Sequence, residues 1–276
     1  MQQSNMFDYK NYRYFKMAVV IILIALAAFL FFEPAVGHYG GSWLGYTLGT
    51  ISACMVLWMA WYGIRKRRYR GTGATQGWLS AHIYLGTALT FIVTLHSGFN
   101  FGLNIHTLAY ALLLVVVVSG FFGNYTYMIY PRKMTENMGE DSLDGLLLRI
   151  AEADKLARKI ALLMPDKINN TVLRACRETS IGLSLIDQLS GFQPNCPSAK
   201  AVQELTLLGK DLAADQRKLY RELYSIMVRR ESLVRRARQD LMYRARLGIW
   251  LYLHVPFTVG LLVAMLAHIV AVFVYW

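Results

Sequence analysis

Two long stretches free of charge constrain this chain more than any other feature. Between Gly71 and Pro131, and again from Leu247 to Trp276, no Asp, Glu, Lys or Arg occurs. These stretches contain apolar runs of about twenty residues, the helix length that crosses a hydrocarbon layer about 30 Å thick. Within such a layer the backbone must satisfy its own N–H and C=O groups, which selects helices or closed barrels. A composition of 55% hydrophobic residues and a mean hydropathy of +0.34 are too apolar for an ordinary soluble domain. The net charge of +12 invites a nucleic-acid reading. The cations, however, lie in short flanking runs and one polar stretch, so membrane lipid is the expected partner and nucleic acid is not.

Five spans follow, giving an all-α integral membrane fold. The first is Met17–Phe32, preceded by Lys10, Arg13 and Lys16 and ending at Glu33-Pro34. A basic stretch, an apolar core and Ala35-Val36-Gly37 also fit a signal peptide, but the segment is read as a span. The second is Trp43–Ile64, closed by Arg65–Arg68 and Arg70. The third is Trp78–Phe99, after a polar Gly71–Gly77 linker, and the fourth is Ile105–Tyr130, stopped by Pro131-Arg132-Lys133. The polar region Met134–Arg244 is expected to be a helical insertion. One of its helices ends at Pro165, a second covers Asn169–Leu189, and a third begins near Ser198 and continues into the fifth span, Leu247–Trp276. Pro256 is expected to kink that span. Domain boundaries then fall at 1–42, 43–133, 134–244 and 245–276. Cys54, Cys176 and Cys196 form no CxxC or CxxCH pattern, which argues against covalent c-type haem or a cysteine-bound cluster.

Within the spans, His82 and His96 are fourteen positions apart, and so are His254 and His268. In a helix, fourteen steps advance about 21 Å and return to within about 40° of the starting direction, so both rings of a pair leave one face. Two such helices side by side present two facing His pairs at two depths. That arrangement suits two six-coordinate haem b groups, each iron held by one imidazole from each helix: His82 with His254, and His96 with His268. Four unrelated membrane histidines bonded to neighbouring helices are the simpler alternative. Gly49 and Gly63 repeat the fourteen-residue step on the second span, either to let helices approach or to leave room for a macrocycle.

Lys and Arg set the orientation. They lie in the N-terminal tail, the 65–70 loop and the 134–244 region, with Arg132, Lys133 and Arg246 beside the last, whereas the loops His38–Ser42 and His96–His106 carry none. Five spans then place the N-terminus in the cytoplasm, the C-terminus outside, His82/His254 at the inner level and His96/His268 at the outer. Arg65, Arg67, Arg132 and Lys133 are candidates for the inner propionates, and Ser97, Asn100 or a neighbouring subunit for the outer. His38 and His106 fall on the outer side, as surface residues, a quinone hydrogen-bond or proton-relay group, or ligands to a further haem. Tyr125, Tyr127 and Tyr130 read as an interfacial aromatic belt.

Spans two to five, with ligands on their second and fourth helices and paired glycines on a flanking helix, resemble the haem bundle of cytochrome b in quinol–cytochrome c oxidoreductases. They are similar also to the ferric-reductase and NADPH-oxidase membrane domain. Leu95-His96-Ser97-Gly98-Phe99 and His254-Val255-Pro256-Phe257 resemble segments of bacterial di-haem membrane cytochromes. The resemblance implies two haem b and a quinone as cofactors. It implies a bacterial cytoplasmic membrane, and c-type cytochrome, iron–sulfur or flavoprotein subunits as partners. Pro-Glu-Trp-Tyr is absent, so a bifurcating quinol site is not expected, nor is a flavin or nicotinamide domain. Three functions stay distinct: a quinone-linked electron-transfer subunit, a quinone-independent conduit to an outer acceptor, and a non-redox scaffold or metal transporter.

Overall fold

A computed structural model of the chain describes residues 9–32, 34, 37–68, 72–182, 184–190 and 196–274, with backbone alone at 62, 64–68, 72–75 and 211. Its helices are α1 Arg13–Phe31, α2 Trp43–Arg68, α3 Thr72–Ser97, α4 Ile105–Met138, α5 Leu143–Ala161, α6 Asp166–Glu178, α7 Leu185–Ser190, α8 Pro197–Leu208 and α9 Arg217–Val274. No strand occurs among the described residues. Five helices are long and apolar enough to cross a membrane. The chain forms two compact units: one of residues 1–124 and 250–276, the other of residues 125–249.

The first unit has an inverted surface. Leu23, Ile24, Val118, Phe121, Val263 and Leu266 are exposed, whereas Ser52, Ser80, Ala81 and Ala88 are buried. Large apolar side chains outside and small ones between helices are what a lipid solvent selects, because close helix approach rather than water exclusion holds the bundle together. Four threonine hydroxyls within the spans are satisfied locally: Thr47, Thr50, Thr87 and Thr94 each donate to the carbonyl four residues earlier, at 2.8–2.9 Å. Ser42 caps α2 by accepting from the Gly45 amide at 3.0 Å.

The second unit packs like a water-soluble helical domain. Ala157, Ile160, Ile168, Val172, Leu205, Leu223 and Met227 form one core, and Met138, Leu146, Ile150, Leu233 and Val234 another. Ser142 caps α5 through the Gly145 amide, with Asp144 in its first turn and Arg158 and Lys159 in its last, as the helix dipole favours. Cys176 is half-buried; burial first and then the Asp154 carboxylate raise its thiol, which keeps it protonated and unreactive.

Several boundaries differ from those the sequence suggests. The fourth span does not stop at Tyr130: α4 passes through Pro131 to Met138 and ends where Gly139 takes φ +57°. The Arg236 guanidinium donates to the carbonyls of Asn137 (2.9 Å) and Met138 (2.7 Å), replacing the bonds the helix end leaves open. The region read as one helix, 169–189, is two, α6 and α7, and α3 begins at Thr72 inside the supposed linker. The third insertion helix also divides: α8 ends at Leu208, and the helix that runs on through Pro256 starts at Arg217. The division into compact units falls at 124/125 and 249/250.

Asp141 receives Arg149 at 2.8 Å and Arg236 at 3.0 Å. Partial desolvation acts to raise its carboxyl, but the hydrogen bonds and charges of the two arginines outweigh it and hold the group below its ordinary 3.8. A lowered folded value contributes stability that is complete above the ordinary carboxylate range and lost as pH falls through the lowered one. The thermal stability of the second unit is therefore expected to fall below about pH 4, and less steeply in Asp141→Asn. Identical acid limbs in the two proteins would refute that role.

Candidate functional site

The site is built on α3 and α9. The ring of His82 stands 6.4 Å from that of His254, centre to centre, with the planes at 64°. The ring of His96 stands 6.0 Å from that of His268, with the planes at 83°. The earlier histidine of α3 faces the earlier one of α9 and the later faces the later, so these helices run in the same direction. The four side chains that the sequence pairs by spacing are thus brought together as those pairs.

The separations have a definite chemical meaning. Two imidazoles joined by an N–H···N bond of about 2.9 Å have ring centres no more than about 5 Å apart. His106 and His268 show that closer relation, with centres at 4.5 Å and an Nδ1–Nδ1 hydrogen bond. The two pairs across α3 and α9 stand farther apart than direct bonding requires. Metal–imidazole bonds of about 2 Å on opposite sides of one ion put the ring centres about 6 Å apart. The residues therefore fit a six-coordinate iron with one imidazole on each side.

Hydrogen bonds fix which ring nitrogen remains available. The carbonyl of Gly45 can only accept, so His96 Nδ1 carries the proton in their 2.7 Å bond, leaving Nε2 with a lone pair. Ser119 Oγ donates to the Val116 carbonyl at 2.8 Å and so accepts from His254 Nδ1 at 2.9 Å. His268 is engaged at Nδ1 by His106. In three of the four rings Nδ1 is occupied, as is usual when the other nitrogen ligates a metal.

Small residues make space for these rings. A Cβ on Gly49 would lie 2.7 Å from His96 Cε1, and one on Gly120 would lie 3.4 Å from His254 Cε1. At Gly63 a Cβ would meet nothing within 4 Å. Midway between the two levels lies a buried apolar layer of Val56, Leu89, Leu113 and Leu261, joined by Met59. Leu89 is seven residues from both His82 and His96, and Leu261 seven from both His254 and His268. Val56 bears the same relation to Gly49 and Gly63, and Leu113 to His106 and Gly120. Seven residues are about two helical turns, so each of the four helices contributes one residue to each of three layers on one face.

Sequence reasoning missed Gly45, Ser119 and Gly120. A signal for Gly120 existed: it lies fourteen residues after His106, the same step as the His pairs. Gly45 acts through its carbonyl, which no residue type announces. Valine in place of Gly49 is expected to drive the His96 ring off its Gly45 bond. A displaced nuclear magnetic resonance signal for the His96 ring would be the measured result; an unchanged one would show that the pocket accommodates the added carbons.

The other candidates are placed as follows. His38 stacks on Phe29, with ring centres 3.8 Å apart, and its carbonyl accepts from Asn100 Nδ2 at 3.1 Å. Ser97 donates to the Thr94 carbonyl and accepts from the Phe99 amide, so Ser97 and Asn100 both organise the turn after α3. Arg132 is exposed and paired with Glu136 at 2.8 Å. The side chains of Arg65 and Arg67 lie outside the described residues. Tyr125 and Tyr127 are exposed, and Tyr130 stacks on Tyr243 at 5.5 Å.

No family model, curated protein or solved structure matches this chain.

Proposed function

We propose that the chain is a membrane-embedded b-type cytochrome with two haems, one between His82 and His254 and one between His96 and His268. It serves as an electron-transfer subunit between a quinone pool and partner redox proteins. The ring separations of 6.4 and 6.0 Å carry this reading, being wider than direct hydrogen bonding and equal to the reach of two imidazoles across one ion. When bound, the haems supply one-electron carriers at two depths of the bundle.

The work of the chain is placement and insulation. Gly45 and Ser119 set tautomer and ring direction for His96 and His254, which raises the basicity of the ligating nitrogen. The layer of Val56, Leu89, Leu113 and Leu261 keeps water from the space between levels. Held by two imidazoles each, the irons would have no position left for oxygen or substrate, so further chemistry would fall to partner subunits or a quinone pocket. The Lys and Arg distribution supports an orientation with the N-terminus on the cytoplasmic side and the C-terminus outside.

Zinc transport is less well supported. A structural or catalytic zinc site draws three or four protein ligands, and no group of three or more His, Cys, Asp or Glu suited to a metal occurs among the described residues.

Reduced-minus-oxidised spectra of the purified chain test the proposal. The expected result is b-type bands and two haems per chain; a colourless, folded protein would overturn it. Reduction by a quinol, blocked by quinone-site inhibitors, separates the quinone-linked reading from a quinone-independent conduit.

A further inference from the structure

His106 has no part in the four-ligand arrangement, yet its ring meets one of those ligands. It lies in the first turn of α4 and is itself exposed, with its Nδ1 on Nδ1 of His268. The ring planes are perpendicular, at 90°, with centres 4.5 Å apart. Two nitrogens in such contact share one proton. If Nε2 of His268 faces the iron, the shared proton belongs to Nδ1 of His268 and His106 is the acceptor.

We infer that His106 is a positioning residue for the outer haem, holding His268 in its ligating tautomer and setting the potential of that haem by accepting its Nδ1 hydrogen bond. This rests on the haem reading above. The same office is filled differently at the other rings: a backbone carbonyl, Gly45, serves His96, and a hydroxyl, Ser119, serves His254. His106 and Gly120 stand fourteen residues apart on α4, matching His268 and His254 on α9, so α4 supplies a neighbour at each level. An imidazole acceptor is more basic than either a carbonyl or a hydroxyl, and it pushes electron density onto its partner more strongly. Acceptance of that proton makes His268 a stronger donor to the metal, which favours the oxidised state and lowers the potential.

The test uses the full chain, purified with its haems, in the parent form and as His106→Phe and His106→Asn. Phenylalanine keeps the bulk and removes the acceptor; asparagine retains an acceptor. The readouts are an optical redox titration and the low-spin electron paramagnetic resonance signals of the oxidised protein. In His106→Phe the expected result is two haems retained, an upward shift in the midpoint potential of one, a displaced resonance for that same haem, and an unchanged second component. His106→Asn is expected to return the shifted component toward the parent value. Two components unchanged from the parent in His106→Phe would overturn the inference while leaving the haem reading intact. Loss of one haem from both variants would make His106 a ligand and would also overturn it. A colourless parent would overturn the haem reading and the inference together.

Discussion

Leucine at position 268 is expected to halve the haem content of the chain and to leave the remaining haem with its own spectrum and potential. His268 faces His96 at 6.0 Å, whereas His254 faces His82 at 6.4 Å, so in the proposed cytochrome each level would hold its iron with its own two rings. Leucine offers no nitrogen, and one imidazole retains a haem far less tightly than two. The apolar layer of Leu89, Leu113 and Leu261 between the levels limits any disturbance passing from one to the other. Pairing can be read from combinations. His96→Leu with His268→Leu should lose no more haem than either alone, because both changes strike one site. His96→Leu with His254→Leu should lose both haems. Haem per chain by absorbance after each substitution decides the matter. Equal loss of both haems from any single folded variant would dismiss independent pairs.

Alanine at position 230 is expected to have the largest effect on stability, and to have it in the second unit. Arg230 is 1% exposed, and its guanidinium meets the Asp154 carboxylate, the Ser198 hydroxyl and the Ala175 carbonyl. It thereby joins α9 to α5, α6 and α8. Removing one member of a buried ion pair costs about 3–5 kcal/mol, because the other charge is left without its partner. Asp154 is 21% exposed, and water can reach it, so the lower end of that range applies. The exposed pair Arg132–Glu136, at 84% and 60%, provides the contrast: breaking it should cost about 1 kcal/mol or less. Hydrogen exchange reads the difference locally. About 3 kcal/mol corresponds to opening some hundredfold more frequent, so the α6 and α8 amides should lose about two orders of magnitude of protection in Arg230→Ala. They should change little in Arg132→Ala. Arg230→Met retains the volume and separates loss of charge from loss of packing. Undiminished protection in α6 and α8 would show that the network contributes nothing.

Much of the first unit is legible in the sequence because hydropathy and helical period belong to the chain itself. The charge-free stretches anticipate the spans, and the fourteen-residue step puts both rings of a pair on one face whatever the neighbours do. Helix ends were harder to read. Charge and proline after Tyr130 mark where apolar sequence stops, but α4 continues to Met138 and is finished by Gly139 and by Arg236, nearly a hundred residues away. Similarly, the stretch 169–189 reads as one helix, but α6 ends at Glu178 and α7 begins only at Leu185. His38 and His106 look equivalent as outer-loop histidines, yet one stacks on Phe29 and the other bonds His268.

By itself the sequence determines the five apolar helices and the two histidine rows, since lipid-crossing length and the angle between residues need no partner. Tertiary structure alone decides which row faces which, how far apart the rings stand, and what holds their second nitrogens. Those nitrogens meet the Gly45 carbonyl, the Ser119 hydroxyl and the His106 ring across 51, 135 and 162 residues respectively. A backbone carbonyl looks the same in every residue, and distant side chains become neighbours only when helices pack, so neither leaves a local mark in the chain.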